Sequence, residues 1–299
     1  MKIKTLITLA LITLATVVNA AELGNGTISI KVTKASKTLV EQWVNAYMCT
    51  NPNVKVQFVD KAEDADLSIT TSSQQSDAAG STFVARFALL PVTATDNPLI
   101  KDIVGKQWSE KDIKRLFFQT EDELFEDKAD RSKKERLTDK LTVFSGNSST
   151  SASTVFAEHF GFKKGDIRGK RIQGDDLFLL NAIQKDKQSV TFNSTANLYD
   201  TASRQLKSNI AILPLDLKKD QEQILLSGNL DETLRLLEES NISTIPVEKI
   251  GFTYSSFNTD IEQFLAWVVS EGQQYNNQAG YLKLGTKDQK QQLALLASK

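Results

Sequence analysis

Thr27-Ile28-Ser29-Ile30-Lys31-Val32 alternates polar and apolar side chains and then passes into Thr33-Lys34-Ala35-Ser36-Lys37-Thr38, a run of small and hydroxyl residues broken only by lysines. The alternation has the period of a half-buried strand. A helix is expected from about Leu39, because Leu39, Trp43, Ala46 and Tyr47 fall on one face, and Asn51-Pro52-Asn53 supplies its stop. Val54-Lys55-Val56-Gln57-Phe58-Val59 reads as the next strand and Ala65-Asp66-Leu67-Ser68-Ile69-Thr70 as a short third one, which runs into the polar tract Thr71 to Ser76. Strand, helix, strand and strand in this order begin a doubly wound α/β sheet.

The rest of the chain continues the alternation. Phe83 to Val92 is apolar enough for a buried strand, and Ser109 is placed to cap a helix carrying Ile113, Leu116 and Phe117. Leu141-Thr142-Val143-Phe144 is a short apolar strand that leads through Ser145-Gly146-Asn147-Ser148-Ser149-Thr150-Ser151 into a helix ending at Gly161. A helix from Asp175 to Lys187, strands at Ser189 to Asn193 and Asn209 to Pro214, extended pieces at Ile245 to Val247 and Ile250 to Tyr254, and an amphipathic helix from Ile261 to Glu271 follow. Between Glu121 and Lys140 most residues are charged, with both signs mixed, which reads as a solvated surface excursion, with a docking segment as the alternative.

At the start, Met1-Lys2-Ile3-Lys4, the apolar run Thr5 to Val18 and the small residues Val18-Asn19-Ala20 have the three-part layout of a signal peptide cleaved after Ala20. The run is shorter than the ~20 apolar residues of a spanning helix. Periplasmic or secreted localisation, in solution after cleavage, is therefore expected. The single cysteine, Cys49, excludes an intramolecular disulfide framework. The formal charge is −1 over 299 residues, with both signs mixed along the chain, and gives no reason to expect nucleic acid as a partner.

Three short strands end in runs of hydroxyl residues: Thr33 to Thr38, Thr70 to Ser73 and Ser145 to Thr154, two of which lead directly into a helix. A helix start presents unpaired N–H groups and the positive end of the helix dipole, so hydroxyls beside it can hold an oxyanion without a basic side chain. The other reading of each run is that serine and threonine are ordinary caps and loop residues. Enzyme constellations are weaker. His159 is the only histidine and lies among Phe156, Phe160 and Phe162; one histidine and one cysteine cannot form a nitrogen-sulfur metal cluster, and there is no Gly-x-Ser-x-Gly elbow, Walker loop or Gly-x-Gly-x-x-Gly. Gly174-Asp175-Asp176 reads as a helix cap with first-turn acids. No catalytic residue, metal or cofactor is expected.

The tail Phe264-Leu265-Ala266-Trp267-Val268-Val269-Ser270-Glu271-Gly272-Gln273-Gln274-Tyr275, followed by Ala279-Gly280-Tyr281-Leu282-Lys283-Leu284, resembles the C-terminal helix and return of the phosphate-binding proteins of ABC importers. Ala65-Asp66-Leu67, the strand ending near Asn97-Pro98-Leu99, the Ser109 to Phe118 helix and the Ser-rich loop before Phe156 occur in that family's order. The resemblance implies an α/β, two-lobed type II periplasmic-binding-protein-like fold, each lobe a mixed, mostly parallel sheet flanked by helices. Lobe 1 would comprise residues 21–93 and 246–299 and lobe 2 residues 94–245. It further implies phosphate or another small oxyanion in an interlobe cleft and an inner-membrane ABC permease as partner.

Carried over position by position, the family's binding loops fall on Thr33 and Ser36, on Thr70 and Thr71, and on Ser148, Ser149 and Thr150. The chain departs from the family in two places. The arginine that precedes the third loop's Ser-Gly-Thr is missing from Phe144-Ser145-Gly146-Asn147-Ser148, and the first loop has Lys34-Ala35-Ser36 where a glycine is usual. Lys34, Lys37, Arg86, Arg168 and Arg171 are the basic residues that could compensate. The departures motivate an alternative function, that of a binding-fold protein that no longer holds solute and serves as an extracellular interaction or matrix protein.

Overall fold

The computed structural model describes residues 26–74, 80–119, 136–148, 152–254 and 256–299. The signal-peptide reading, the polar tract beyond Gln74 and most of the charged excursion lie outside them. Among the described residues eleven strands are formed: β1 (Thr27–Lys31), β2 (Lys55–Phe58), β3 (Leu67–Thr71), β4 (Gly80–Ala94), β5 (Thr142–Gly146), β6 (Lys170–Ile172), β7 (Ser189–Ser194), β8 (Tyr199–Asp200), β9 (Gln205–Leu206), β10 (Ile210–Ile212) and β11 (Val247–Tyr254). Nine of them make one sheet in the order β2-β1-β3-β11-β4-β7-β5-β6, with β10 also on β4, while β8 and β9 form a separate ribbon. The flanking strands pair in parallel, β2 with β1 with β3 and β6 with β5 with β7, whereas β4 and β11 run antiparallel to their neighbours.

The fold turns on β4. At 15 residues it is long enough to serve two halves: Gly80 to Ala88 pair with β11, Leu89 to Thr93 pair with β7, and Val92 to Ala94 pair with β10. The run Phe83 to Val92 is apolar apart from Arg86 because most of the strand is covered on both faces, as central strands are. The chain crosses between the halves along β4 and again where it enters β11, at which point Leu89 N–H donates to the carbonyl of Pro246 at 2.9 Å.

Each half has an aromatic centre. In the first, Tyr47 lies edge-on to Phe264 at 5.2 Å and Trp43 stands 6.1 Å from Phe252. In the second, Phe156 stacks on Phe192 at 3.9 Å and meets Phe117 at 4.9 Å. The C-terminal return is pinned to the first half by buried amides. Trp43 Nε1 donates to Gly272 O and Asn276 Oδ1, both at 3.1 Å, and Gln273 Nε2 donates to Val84 O at 2.7 Å while its Oε1 accepts from Leu284 N at 2.9 Å. Gly280 has φ +79, and a Cβ there would meet Ala196 Cα at 2.8 Å, so this position lets the return lie against the second half.

Several element boundaries differ from the sequence reading, two of them at helix starts near the cleft. The helix expected from about Leu39 begins at Lys34, because Thr33 and Ser36 form a reciprocal capping box that starts it five residues earlier. The helix expected from Asp175 starts at Leu177 and ends at Lys185. The tail helix, Thr259–Val269, is capped by Asn258, whose Oδ1 accepts from Ile261 N at 2.9 Å. Among the described residues no helix is long and apolar enough to cross a membrane.

Candidate functional site

A cavity of about 80 Å³ lies between the two halves of the sheet. Its first wall comes from the start of helix Lys34–Thr50, with Thr33, Ala35 and Ser36, and from neighbouring strands through Ile69 and Thr71 of β3, Ile250 of β11 and Phe87 of β4. The opposite wall is formed by Ala152 and Val155 at the start of helix Ala152–His159, together with Asp176, Ser194 and Asn197. Tyr281 closes it from the C-terminal return, its hydroxyl donating to Ala35 O at 2.8 Å. Drug-sized ligands need roughly 300 Å³ or more, so this space suits a ligand of a few heavy atoms.

Two helix N-termini therefore face one small cavity from opposite sides. Each contributes the partial positive charge of a helix start, which favours anions. The hydroxyls at the first terminus also serve their own helix: Thr33 Oγ1 accepts from Ser36 N at 3.3 Å, Ser36 Oγ accepts from Thr33 N at 3.1 Å, and the two oxygens lie 2.9 Å apart. Thr71 Oγ1 lies 3.0 Å from Ser73 Oγ.

Thr33, Ser36 and Thr71 are thus brought together, while Thr70 and Ser148 are placed elsewhere. Side chains alternate along β3, so Ile69 and Thr71 line the cavity whereas Thr70 is buried on the other face with Oγ1 donating to Thr71 O at 3.3 Å. Ser148 is not among the lining residues, and its carbonyl accepts from Lys164 Nζ at 3.2 Å. Ser149 and Thr150 lie outside the described residues.

The structure also locates the basic candidates. Among the described residues lining the cavity there is no lysine or arginine. Arg171 Nη1 donates to Ser145 Oγ at 2.9 Å, at the start of the third loop, but is otherwise committed to the carbonyls of Lys164, Gly165 and Ile167. Arg86 Nε donates to Lys283 O at 2.8 Å, Arg168 is held on the carbonyls of Leu116 and Thr138, and Lys37 pairs with Glu41 at 3.7 Å. Lys34 lines a neighbouring chamber.

The charged group in the cavity is Asp176, and the cap reading of Asp175-Asp176 is correct only for its first residue. Asp175, the residue before the N-cap, has Oδ1 accepting from Leu177 N, the first N–H of the helix, at 2.9 Å. Asp176 instead turns its side chain away from its own helix, and Oδ2 accepts from Ala152 N at 2.9 Å, at the start of the neighbouring helix. Its Oδ1 is buried with no partner among the described residues. Burial, reinforced by the charge of Asp175 and opposed by the Ala152 N–H, pushes the carboxyl up to about 6. Burial likewise raises the Tyr281 phenol, which keeps its proton for Ala35 O.

Asn193 supports this wall. Its Nδ2 donates to Asp176 O at 2.7 Å and its Oδ1 accepts from Asn197 Nδ2 at 2.8 Å and from Ser194 N at 2.9 Å. Asn197 thereby has Oδ1 left to offer the cavity. Ser194 and Asn197 were missed in the sequence, although Phe192-Asn193-Ser194-Thr195 is a fourth strand ending in a hydroxyl run that leads into a helical turn, the same signal as the other three.

No known protein family matches the sequence by family profile, and no curated protein matches it. Solved structures do match. A putative phosphate ABC transporter substrate-binding protein with bound phosphate from Clostridium perfringens aligns at TM-score 0.58 and 12% identity, covering 87% of this chain and 100% of the other. An ABC-type phosphate transport receptor from Vibrio cholerae aligns at TM-score 0.54 and 12% identity over 86% and 100%. PstS from Borrelia burgdorferi aligns at 0.50 and 13% over 87% and 100%. At such identities the likeness is one of architecture: the chain has the α/β, two-lobed fold of the type II periplasmic binding proteins.

Proposed function

We propose that the protein is an exported, non-enzymatic solute-binding protein that holds phosphate or another small oxyanion between its lobes and delivers it to an ABC permease. The lobes would be residues 21–93 with 246–299, and 94–245, closing on the ligand about β4 and the Pro246 crossing. The observation that carries this reading is the convergence of two helix N-termini, at Thr33 to Ser36 and at Ala152, on one cavity of about 80 Å³. Architectures matched by the chain include proteins described as phosphate transport receptors, one with phosphate bound. Thr33, Ser36 and Thr71 would supply hydroxyl donors, as would Ser148, Ser149 and Thr150 of the third sequence run. A signal peptide ending at Ala20 would place the protein in the periplasm or outside the cell.

The test is thermal unfolding with and without millimolar phosphate, using sulfate as the control. Ligand at a hundred times its dissociation constant adds about 2.7 kcal/mol and raises the midpoint by several degrees.

A specific observation favours a second reading, in which solute binding is lost and the fold serves extracellular interactions. Asp176 already occupies the N–H group of Ala152 with a carboxylate, and among the described residues no lysine or arginine lines the cavity to offset it. Unchanged unfolding in both anions, at pH 5 as well as pH 7.5, decides for this reading.

A further inference from the structure

Beside the cavity lies a second, larger chamber of about 300 Å³, and the two share Ala35 and Asn197 in their walls. The second chamber is also built from both halves of the molecule. Lys34 and Thr38 come from the helix Lys34–Thr50, whereas Leu177, Thr201 and Lys207 come from the other side. It differs from the first chamber in charge. Lys34 and Lys207 are the cations among the described residues lining either chamber, and Asp200 is the acid that faces them.

The three charged groups differ in how they are held. Asp200 Oδ1 accepts from Ala202 N at 3.0 Å and Ser203 N at 2.7 Å, and these N–H groups hold its carboxyl below the usual carboxylate range. Lys207 Nζ donates to Asn197 O at 2.6 Å, which fixes the ammonium at the seam between the chambers and leaves further N–H donors for a ligand. Lys34 is exposed at the first position of its helix, where its side chain adds a full charge to the helix's own N-terminal field.

From this arrangement we infer that the ligand is a two-headed oxyanion: an organic phosphate or phosphonate carrying a second acid group. One head would sit in the small chamber between the two helix starts, and the second acid would reach past Ala35 and Asn197 to Lys34 and Lys207. This inference rests on the oxyanion reading proposed above and extends it. It accounts for the two lysines that line the second chamber and not the first. It also gives a use to the volume of the second chamber, for which inorganic phosphate has none.

The test compares inorganic phosphate with phosphonoacetate, whose carboxylate lies one methylene from its phosphonate, by calorimetric titration of the purified protein. Phosphonoacetate is expected to bind at least about tenfold more tightly, as one additional charge-assisted contact provides. That advantage should disappear in Lys34→Gln and in Lys207→Gln, phosphonoacetate then binding no more tightly than inorganic phosphate does to the same variant. Retention of phosphate binding also shows that the variant is folded. Phosphate binding with no advantage for phosphonoacetate, or an advantage that survives both substitutions, overturns the second subsite and leaves the oxyanion reading standing. Failure of both ligands to bind overturns the two together.

Discussion

Replacing Asp176 with asparagine isolates the charge that sits in the candidate cleft. In the folded protein the carboxyl ionises near pH 6, well above the 3.8 of a free aspartate, with burial as the main cause. The native state therefore retains a proton that the unfolded chain has released. By proton linkage, stability falls as pH rises from about 4 to 6 and remains at its lower level above that range. A displacement of about two pH units at 1.36 kcal/mol each amounts to about 3 kcal/mol.

Asparagine cannot ionise, yet it keeps an oxygen to accept from Ala152 N–H as Asp176 Oδ2 does at 2.9 Å. Any cost of the new amide where Oδ1 lacks a partner is independent of pH, so the readout is the change in the variant's advantage between conditions. Urea unfolding at pH 3.5, 5 and 7.5 should show Asp176→Asn gaining on the wild type by about 3 kcal/mol across the series. A difference between the two proteins that is constant with pH, or that moves in favour of the wild type as pH rises, refutes the assignment of a buried, uncompensated carboxylate. The same substitution should strengthen phosphate binding at pH 7.5, and wild-type affinity should rise as pH falls through about 6.

Three further substitutions probe the frame around the cleft. Thr33→Ala removes one half of the capping box and should cost about 1 kcal/mol in urea unfolding; no loss would mean that the helix start is held by its packing alone. Gly251→Ala places a Cβ 2.1 Å from Thr82 O and 2.6 Å from Phe83 Cα, at the irregularity between Ile250 and Gly251 where β11 meets β4. It should lower stability by at least about 2 kcal/mol, and a melting temperature within a degree of wild type would contradict the close approach. Trp43→Phe leaves Gly272 O and Asn276 Oδ1 without their shared donor in a buried site, and should cost about 1–3 kcal/mol by the same urea assay; an unchanged midpoint would show that another donor or water replaces the indole.

The architecture was legible because its signals are local. Ile28 and Ile30 alternate with Ser29 and Lys31 and become one buried edge of β1, and the mainly apolar run within Gly80–Ala94 announces a strand covered on both faces over most of its length. The helix beginning was misplaced by five residues because Lys34 and Lys37 interrupt the apolar periodicity, even though Thr33 and Ser36 are a capping pair at the correct spacing. The tail was legible as a resemblance, but its structural purpose was not. Gln273 and Asn276 look like surface amides in the sequence and are buried partners of Trp43 and Val84 in the fold, bonds that span roughly two hundred positions.

The chemistry of the cleft was less legible because it depends on which of two adjacent residues faces inward. Thr70 and Thr71 are equivalent in composition, and only the strand's pleat turns Thr71 with Ile69 towards the cavity and Thr70 away from it. Asp175 and Asp176 present the same problem at a helix start: one caps its own helix, and the other reaches across to the next, a choice set by Asn193 holding the Asp176 carbonyl from β7. Each such choice alters the electrostatics of a space only about 80 Å³ in volume, where a single carboxylate outweighs several hydroxyls. The missing arginine is therefore only half of the departure from an ordinary oxyanion site. The other half is an acid placed where two helix dipoles converge, so that proton uptake by Asp176 and the lysines of the adjoining chamber, rather than an arginine within the cavity, would set the affinity for an anion.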